Sequence, residues 1–157
     1  MKIKLKKILC PVDFSESADH ALNYALTLAE MGGAELLLIH VVEAISYPQS
    51  AALFEPLLGE VDLTMKLQSA FEEQLRQRVT ELQADYAHVS GKAVTGNTFV
   101  EIIRAAREEN ADMIVMGTHG RTGLAHVLIG SVAEKVVRGA PCPVLTVKHP
   151  EHEFIEP

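Results

Sequence analysis

Gly117-Thr118-His119-Gly120-Arg121-Thr122-Gly123, followed after six residues by Gly130-Ser131, is the stretch on which the reading of this chain turns. The short apolar run Ala111 to Met116 precedes it and a helical pattern, Ser131 to Val137, follows it. The glycines therefore lie where a buried strand hands over to a helix N-terminus, the layout of a phosphate-binding loop. The first N–H groups of a helix lack intrahelical partners and the helix dipole adds partial positive charge, so amides gathered there favour an anion. Ser131-Val132-Ala133-Glu134 also has the form of a capping box, whose serine can still turn its hydroxyl to a phosphate. The glycines could instead serve a tight turn, but Gly117, Gly120, Gly123 and Gly130 within fourteen residues exceed what one turn requires.

Outward from this stretch, apolar runs alternate with helical patterns and no Pro/Gly/Ser-rich linker divides them. Ile8 to Val12 reads as a first strand; Ala18, Ala21, Leu22, Ala25, Leu28 and Ala29 then share one helical face until Gly32-Gly33. Leu36 to Val42 is a near-continuous apolar strand, as in a parallel sheet covered on both faces. Ala44 to Gly59, with Pro48, Leu53, Phe54, Pro56, Leu57 and Leu58, is expected to be a long connection, too apolar for a solvated linker and suited to a flap or contact surface. A charged helix is expected over Leu63 to Asp85, a weak third strand over Lys92 to Thr95, a helix over Thr98 to Glu109 and a strand over Ala111 to Met116. A helix over Ser131 to Arg138 and a last strand over Val144 to Lys148 complete the pattern. Five strands joined by right-handed crossovers make a single-domain, open, doubly wound parallel α/β sheet. Ligands bind such sheets beyond the strand carboxyl ends, where strand order reverses. Asp13 and Gly117 both follow strands directly.

Composition narrows the classes. The chain has 157 residues, 48% hydrophobic and 22% charged, enough for one globular domain with a proper core. A net charge of −7 argues against a nucleic-acid partner, which would need clustered Lys and Arg. The basic opening Met1 to Lys7 is not followed by a signal-peptide core, and the longest apolar runs fall far short of the roughly 20 residues that span a bilayer, so no membrane association and a cytoplasmic location are expected. Cys10 and Cys142 lie in separate apolar strands by this reading, match no zinc spacing and fit buried small hydrophobes in a reducing compartment. His149-x2-His152 lacks a third ligand, so no metal site is expected there. His20 is read as helix surface and His40 as a strand residue whose ring meets a backbone partner.

Together, Pro11-Val12-Asp13-Phe14-Ser15, His40-Val41, Ala111-Asp112-Met113-Ile114-Val115-Met116-Gly117, the Gly117-x2-Gly120-x9-Gly130-Ser131 pattern and Pro141-Cys142-Pro143-Val144-Leu145 resemble the universal stress protein family over nearly the whole chain. The glycine pattern is that of its ATP-binding branch. The resemblance implies a Rossmann-like sheet of the adenine nucleotide alpha hydrolase type, with strand order 3-2-1-4-5, helices on both faces, a domain over 1–150 and a tail over 151–157. It implies a protein that binds ATP or AMP and acts in a stress response or signalling. Asp13 and Val41 would lie beside the adenine, Met116 and Gly117 at the ribose, and Gly120, Gly130 and Ser131 around the phosphates, with Pro11, Val12 and Val132 also among the binding residues. His119 and Arg121, in the same loop, can add charge to phosphate binding. The resemblance also implies a homodimer, joined through the exposed last strand Val144 to Lys148.

Simpler roles compete with these. Asp13, with Glu16 three residues on, can act as a helix cap alone. The Walker A pattern and the GxGxxG fingerprint are both absent and no lysine follows the glycine loop. Asp13 can help hold a magnesium ion, but no residue is identifiable that would place a water in line with a γ-phosphate, so an efficient ATPase is not expected. A slow ATP hydrolase and a dimeric interaction protein with an empty loop stand as alternatives.

Overall fold

Strand β1 (Lys7–Pro11) has neighbours on both sides, and its two ladders differ in length. The computed structural model describes residues 4–43, 58–119 and 129–148. The chain runs β1, α1 (Glu16–Gly32), β2 (Glu35–Val42), α2 (Leu58–Gln83), β3 (Val89–Thr95), α3 (Thr98–Glu108), β4 (Met113–Gly117), α4 (Ser131–Gly139) and β5 (Val144–Val147). The strands form one parallel sheet in the order β3-β2-β1-β4-β5, as the resemblance implied. Alternation along the strands divides the core. Ile8, Cys10, Leu36 and Leu38 pack with Ala21, Leu22, Ala25 and Ala29 of α1 and Leu75 of α2. Leu9, Leu37, Ile39 and Ile114 face the other way, onto Ile102, Ala105 and Ala106 of α3 and Ala133 and Val136 of α4. Every central strand is therefore apolar on both sides, which is why its sequence shows a run rather than an alternation.

Local chemistry explains where α1 begins and ends. Ser15 is its N-cap, with Oγ accepting from the Ala18 N–H at 3.3 Å, and Glu16 and Asp19 place negative charge in the first turn. Gly33 ends it in the left-handed region, φ 63°, where a Cβ would be strained. The expected helix over Leu63 to Asp85 instead starts at Leu58. The single Gly59 costs only about 1 kcal/mol of helix propensity, and extending a formed helix is easy compared with starting one. Residues 44–57 of the expected flap lie outside the described residues.

The third strand is longer than the sequence suggested, beginning at Val89 rather than Lys92. Ser90 and Gly91 have little strand propensity, but packing decides here. A Cβ at Gly91 would meet Val79 Cγ2 at 2.8 Å and Leu75 Cγ at 3.2 Å, so the glycine is what lets α2 lie against β3. Cys142 is also placed differently from the reading above, in the turn before β5 rather than in a strand. Cys10 is fully buried, and burial pushes its thiol pKa up to about 12, an unreactive small hydrophobe as expected. No helix among the described residues is long and apolar enough to cross a membrane.

At the amino edge of the sheet, Asp112 Oδ2 accepts from the Lys6 and Lys7 N–H groups at 2.7 and 2.9 Å, which ties the start of β1 to the start of β4. Those two backbone donors hold its carboxyl below the ordinary 3.8. A depressed folded-state value adds stability above the unfolded carboxylate range, and that stability is lost as pH falls through the folded value. Asp112→Ala is expected to cost about 1 to 2 kcal/mol at neutral pH, allowing for partial exposure. In urea unfolding at a series of pH values, the deficit should shrink as the medium becomes more acid than pH 3.8. A deficit that stays constant over that acid range would rule out the carboxylate as its source.

Candidate functional site

β1 and β4 pair over only two positions, Ile8 with Met113 and Leu9 with Ile114. Beyond that point β1 keeps pairing with β2 as far as Pro11, and β4 keeps pairing with β5 as far as Gly117. The two central strands thus part toward their carboxyl ends, where strand order reverses and ligands enter such sheets. Pro11, Val12 and Asp13 stand on one side of the split and Met116, Gly117 and Thr118 on the other. Val41 is near the carboxyl end of β2, its side chain in the layer shared with α3 and α4.

The helices that follow β1 and β4 start on the two sides of this split, and their starts differ. At α1, Asp13 Oδ1 accepts from the Ser15 N–H at 3.0 Å and from Ser15 Oγ at 2.5 Å, while Ser15 caps the helix. Asp13 is therefore not the cap itself; it orients the serine that is, and its carboxylate already supplies negative charge at that end. At α4, the N-cap is Gly130, which has no side chain to accept from the first turn. Ser131 is the first helical residue, so the expected Ser131–Glu134 capping box does not form, and Glu134 pairs instead with Arg138 at 3.0 Å. Of the two helix starts that flank the split, α4 is thus the one without a side-chain cap, with Ser131 exposed and Val132 partly buried beside it; α3 also lacks a side-chain cap at Asn97, but it follows the edge strand β3.

Thr118 ties the β4 side of the split together. Its N–H donates to the Val147 carbonyl at 3.1 Å, its carbonyl accepts from the Gly130 N–H at 2.7 Å, and Thr118 Oγ1 is hydrogen-bonded to His119 Nδ1 at 2.9 Å. A Cβ at Gly130 would lie 3.0 Å from that carbonyl, so the close backbone approach requires glycine or a shift. Gly117 faces a similar limit, since a Cβ there would lie 2.6 Å from Ser17 Oγ and 3.0 Å from the Ser17 carbonyl oxygen. Both glycines therefore have a packing role as well as the ligand role read from the sequence. Gly120 and Arg121 lie outside the described residues. Thr118 and Ser17 were not singled out from the sequence, because backbone bonds and helix-to-strand contacts leave no residue-type pattern.

The loop after β1 is shaped from behind. The Val12 N–H continues the β2 ladder to the Ile39 carbonyl at 2.9 Å, and the Val12 carbonyl lies 2.7 Å from His40 Nδ1. That is the backbone partner expected for His40. Phe14 adopts φ 61°, a left-handed conformation that costs a non-glycine residue about 1 to 2 kcal/mol. Its ring lies 4.9 Å from that of His40 and 6.2 Å, stacked, from Phe71 of α2, while His40 and Phe71 are 4.5 Å apart. Aromatic contacts contribute about 0.5 to 1.5 kcal/mol each beyond their burial, enough to offset the strain.

Among the described residues, no group of three or more His, Cys, Asp or Glu side chains gathers as a metal site. Set beside known proteins, the chain matches the model of the universal stress protein family over residues 4–148. It belongs to that family. Among its curated relatives is universal stress protein MJ0577 of Methanocaldococcus jannaschii, 34% identical over 160 residues that span 94% of this chain and 98% of the relative. The solved structure of MJ0577 matches with a TM-score of 0.75 at 29% identity, covering 95% of this chain and 99% of that one. A universal stress protein solved in complex with cAMP has a TM-score of 0.65 at 22% identity, covering 93% and 98% of the two chains. One from Archaeoglobus fulgidus in complex with dAMP has 0.59 at 21%, covering 92% and 98%. The likeness to these last two is one of fold.

Ser17 gives a sharp test of this packing. Its Oγ is buried without a hydrogen-bond partner among the described residues, and the residue is only 9% exposed. Removing an unsatisfied hydroxyl is expected to leave stability unchanged or to raise it by up to about 1 kcal/mol. Ser17→Ala should therefore unfold no earlier than the parent in thermal melts, whereas Gly117→Ala should lose about 1 to 3 kcal/mol by overpacking. The double variant should recover part of that loss. A clear destabilisation by Ser17→Ala would mean that the hydroxyl bonds an internal water.

Proposed function

We propose that this universal stress protein belongs to the ATP-binding branch, holding ATP or AMP where β1 and β4 part and serving as a stress-response or signalling module. The observation that carries this reading is the contrast between the two helix starts that flank the split between β1 and β4. At α1 the Asp13 carboxylate and Ser15 already satisfy the helix end. At α4 the N-cap is a glycine, and a phosphate would complete the first turn. In this reading Pro11, Val12, Asp13 and Val41 border the adenine, and Met116 and Gly117 the ribose. Gly130, Ser131 and Val132 hold the phosphates, joined by His119, Gly120 and Arg121. The family members solved with cAMP and dAMP support an adenine ligand for this fold. Asp13 is the one carboxylate of the set and its Oδ1 is bonded to Ser15, so a magnesium ion would rest chiefly on the phosphate oxygens.

The same reading includes a homodimer through β5. This strand is an edge of the sheet, Leu145 on it is 37% exposed, and Val137 on α4 is 48% exposed. An apolar edge of this kind is a liability until another strand covers it, and a second copy across a two-fold axis would do so.

The first test is to denature freshly purified protein and identify what it releases by chromatography and mass spectrometry. An adenine nucleotide approaching one per chain is expected. Gly130→Val, which crowds the Thr118 carbonyl, should lower occupancy and weaken titrated ATP by at least about tenfold. A protein that releases nothing and fails to bind added ATP or AMP at millimolar concentration would overturn the reading. For the dimer, sedimentation at micromolar concentration should give two chains for the parent and one for Leu145→Arg; a monomeric parent would remove that part.

A further inference from the structure

We infer that His40 is a positioning residue for this site: its hydrogen bond to the Val12 carbonyl, backed by the Phe14 and Phe71 rings, aims the backbone that meets the base. The inference rests on the nucleotide reading above. A carbonyl oxygen can only accept, so His40 Nδ1 carries the proton in its 2.7 Å contact with Val12. His40 is 3% exposed and Val12 5%, so this bond is made in the core and holds the carbonyl to one direction. The Val12–Asp13 peptide is trans, no cis peptide occurring among the described residues, and a planar trans peptide points its C=O and N–H in opposite directions. Fixing the carbonyl toward β2 and His40 turns the Asp13 N–H away from them, to the side where β1 and β4 separate. There it is placed to donate to an acceptor nitrogen on a purine edge.

Without the histidine the peptide could rotate, since the turn that follows is already strained at Phe14. The ring contacts act on the same hinge. Phe14 is held in its left-handed conformation by packing on His40 and on Phe71 of α2, so α2 supports the base-binding backbone without being part of it. Recognition of the base and recognition of the phosphates then depend on separate parts of the fold, the Val12–Phe14 backbone for one and the start of α4 for the other.

The experiment uses the full chain freed of bound nucleotide, titrated calorimetrically with ATP, AMP and inorganic tripolyphosphate. His40→Phe keeps a ring but loses the donor; His40→Asn places an amide N–H near the Nδ1 position; His40→Gln places one farther out. His40→Phe and His40→Gln should weaken ATP and AMP by about tenfold, the equivalent of one lost hydrogen bond, while tripolyphosphate affinity stays within about twofold. His40→Asn should stay within about threefold of the parent for all three ligands. Phe71→Leu, a milder change, should weaken ATP several-fold and leave tripolyphosphate unaffected. In the parent, ring 15N shifts should show His40 protonated at Nδ1. Equal losses for ATP and tripolyphosphate, no loss in His40→Phe, or no rescue by asparagine would each overturn the inference. If His40→Phe does not fold, the asparagine–glutamine contrast and Phe71→Leu decide it. A parent that binds none of the adenine ligands would instead remove the nucleotide reading, and this inference with it.

Discussion

A ladder of two residue pairs between β1 and β4 is the constraint on which the rest of the structure depends. Every other neighbouring pair of strands is joined over four or more positions. Because β1 stays with β2 and β4 with β5, their carboxyl ends separate at the centre of the sheet, where the core on both faces is most complete. A cleft at an edge would be closed by small side-chain movements. One formed by the departure of two central strands is held open by their outer ladders, and the loops on its rim inherit that rigidity.

The rim is then divided by how each helix start is satisfied. The chain closes α1 with its own carboxylate and hydroxyl, whereas α4 follows a glycine that supplies neither. The dipoles of both helices point the same way, so the difference lies in whether an internal acceptor is present. On the α4 side, Thr118 bonds β5 through its N–H and Gly130 through its carbonyl, which keeps the start of α4 in register with the end of β4.

Glycines that invite a ligand reading turn out to serve packing too. Gly117 leaves room for Ser17, and Gly130 for the Thr118 carbonyl. A loop that must bring its backbone close to a phosphate must also bring it close to the neighbouring backbone, and the same missing Cβ serves both. Sequence reading recognised these positions but assigned them one reason. It placed the cap of α4 at Ser131, one residue late, because capping-box residue types say nothing about where helical dihedrals begin. It shortened β3 because Ser90 and Gly91 look unlike strand residues, and the space that α2 needs at Gly91 is visible only once helix and strand are placed together.

The sequence by itself determined the element order, the doubly wound parallel class, the two-faced core and the position of the glycine loop. Each of these is written in local periodicity or residue type: apolar runs for strands buried on both sides, a 3.6-residue stripe for α1, and glycines at a strand-to-helix junction. Only the tertiary structure decided which helix end is already satisfied, that Val12 leans on His40, and that Phe14 holds a strained conformation against Phe71. Those relations join residues 28 and more positions apart through single contacts whose direction depends on how strands and helices dock. Spacing along the chain carries no record of that docking.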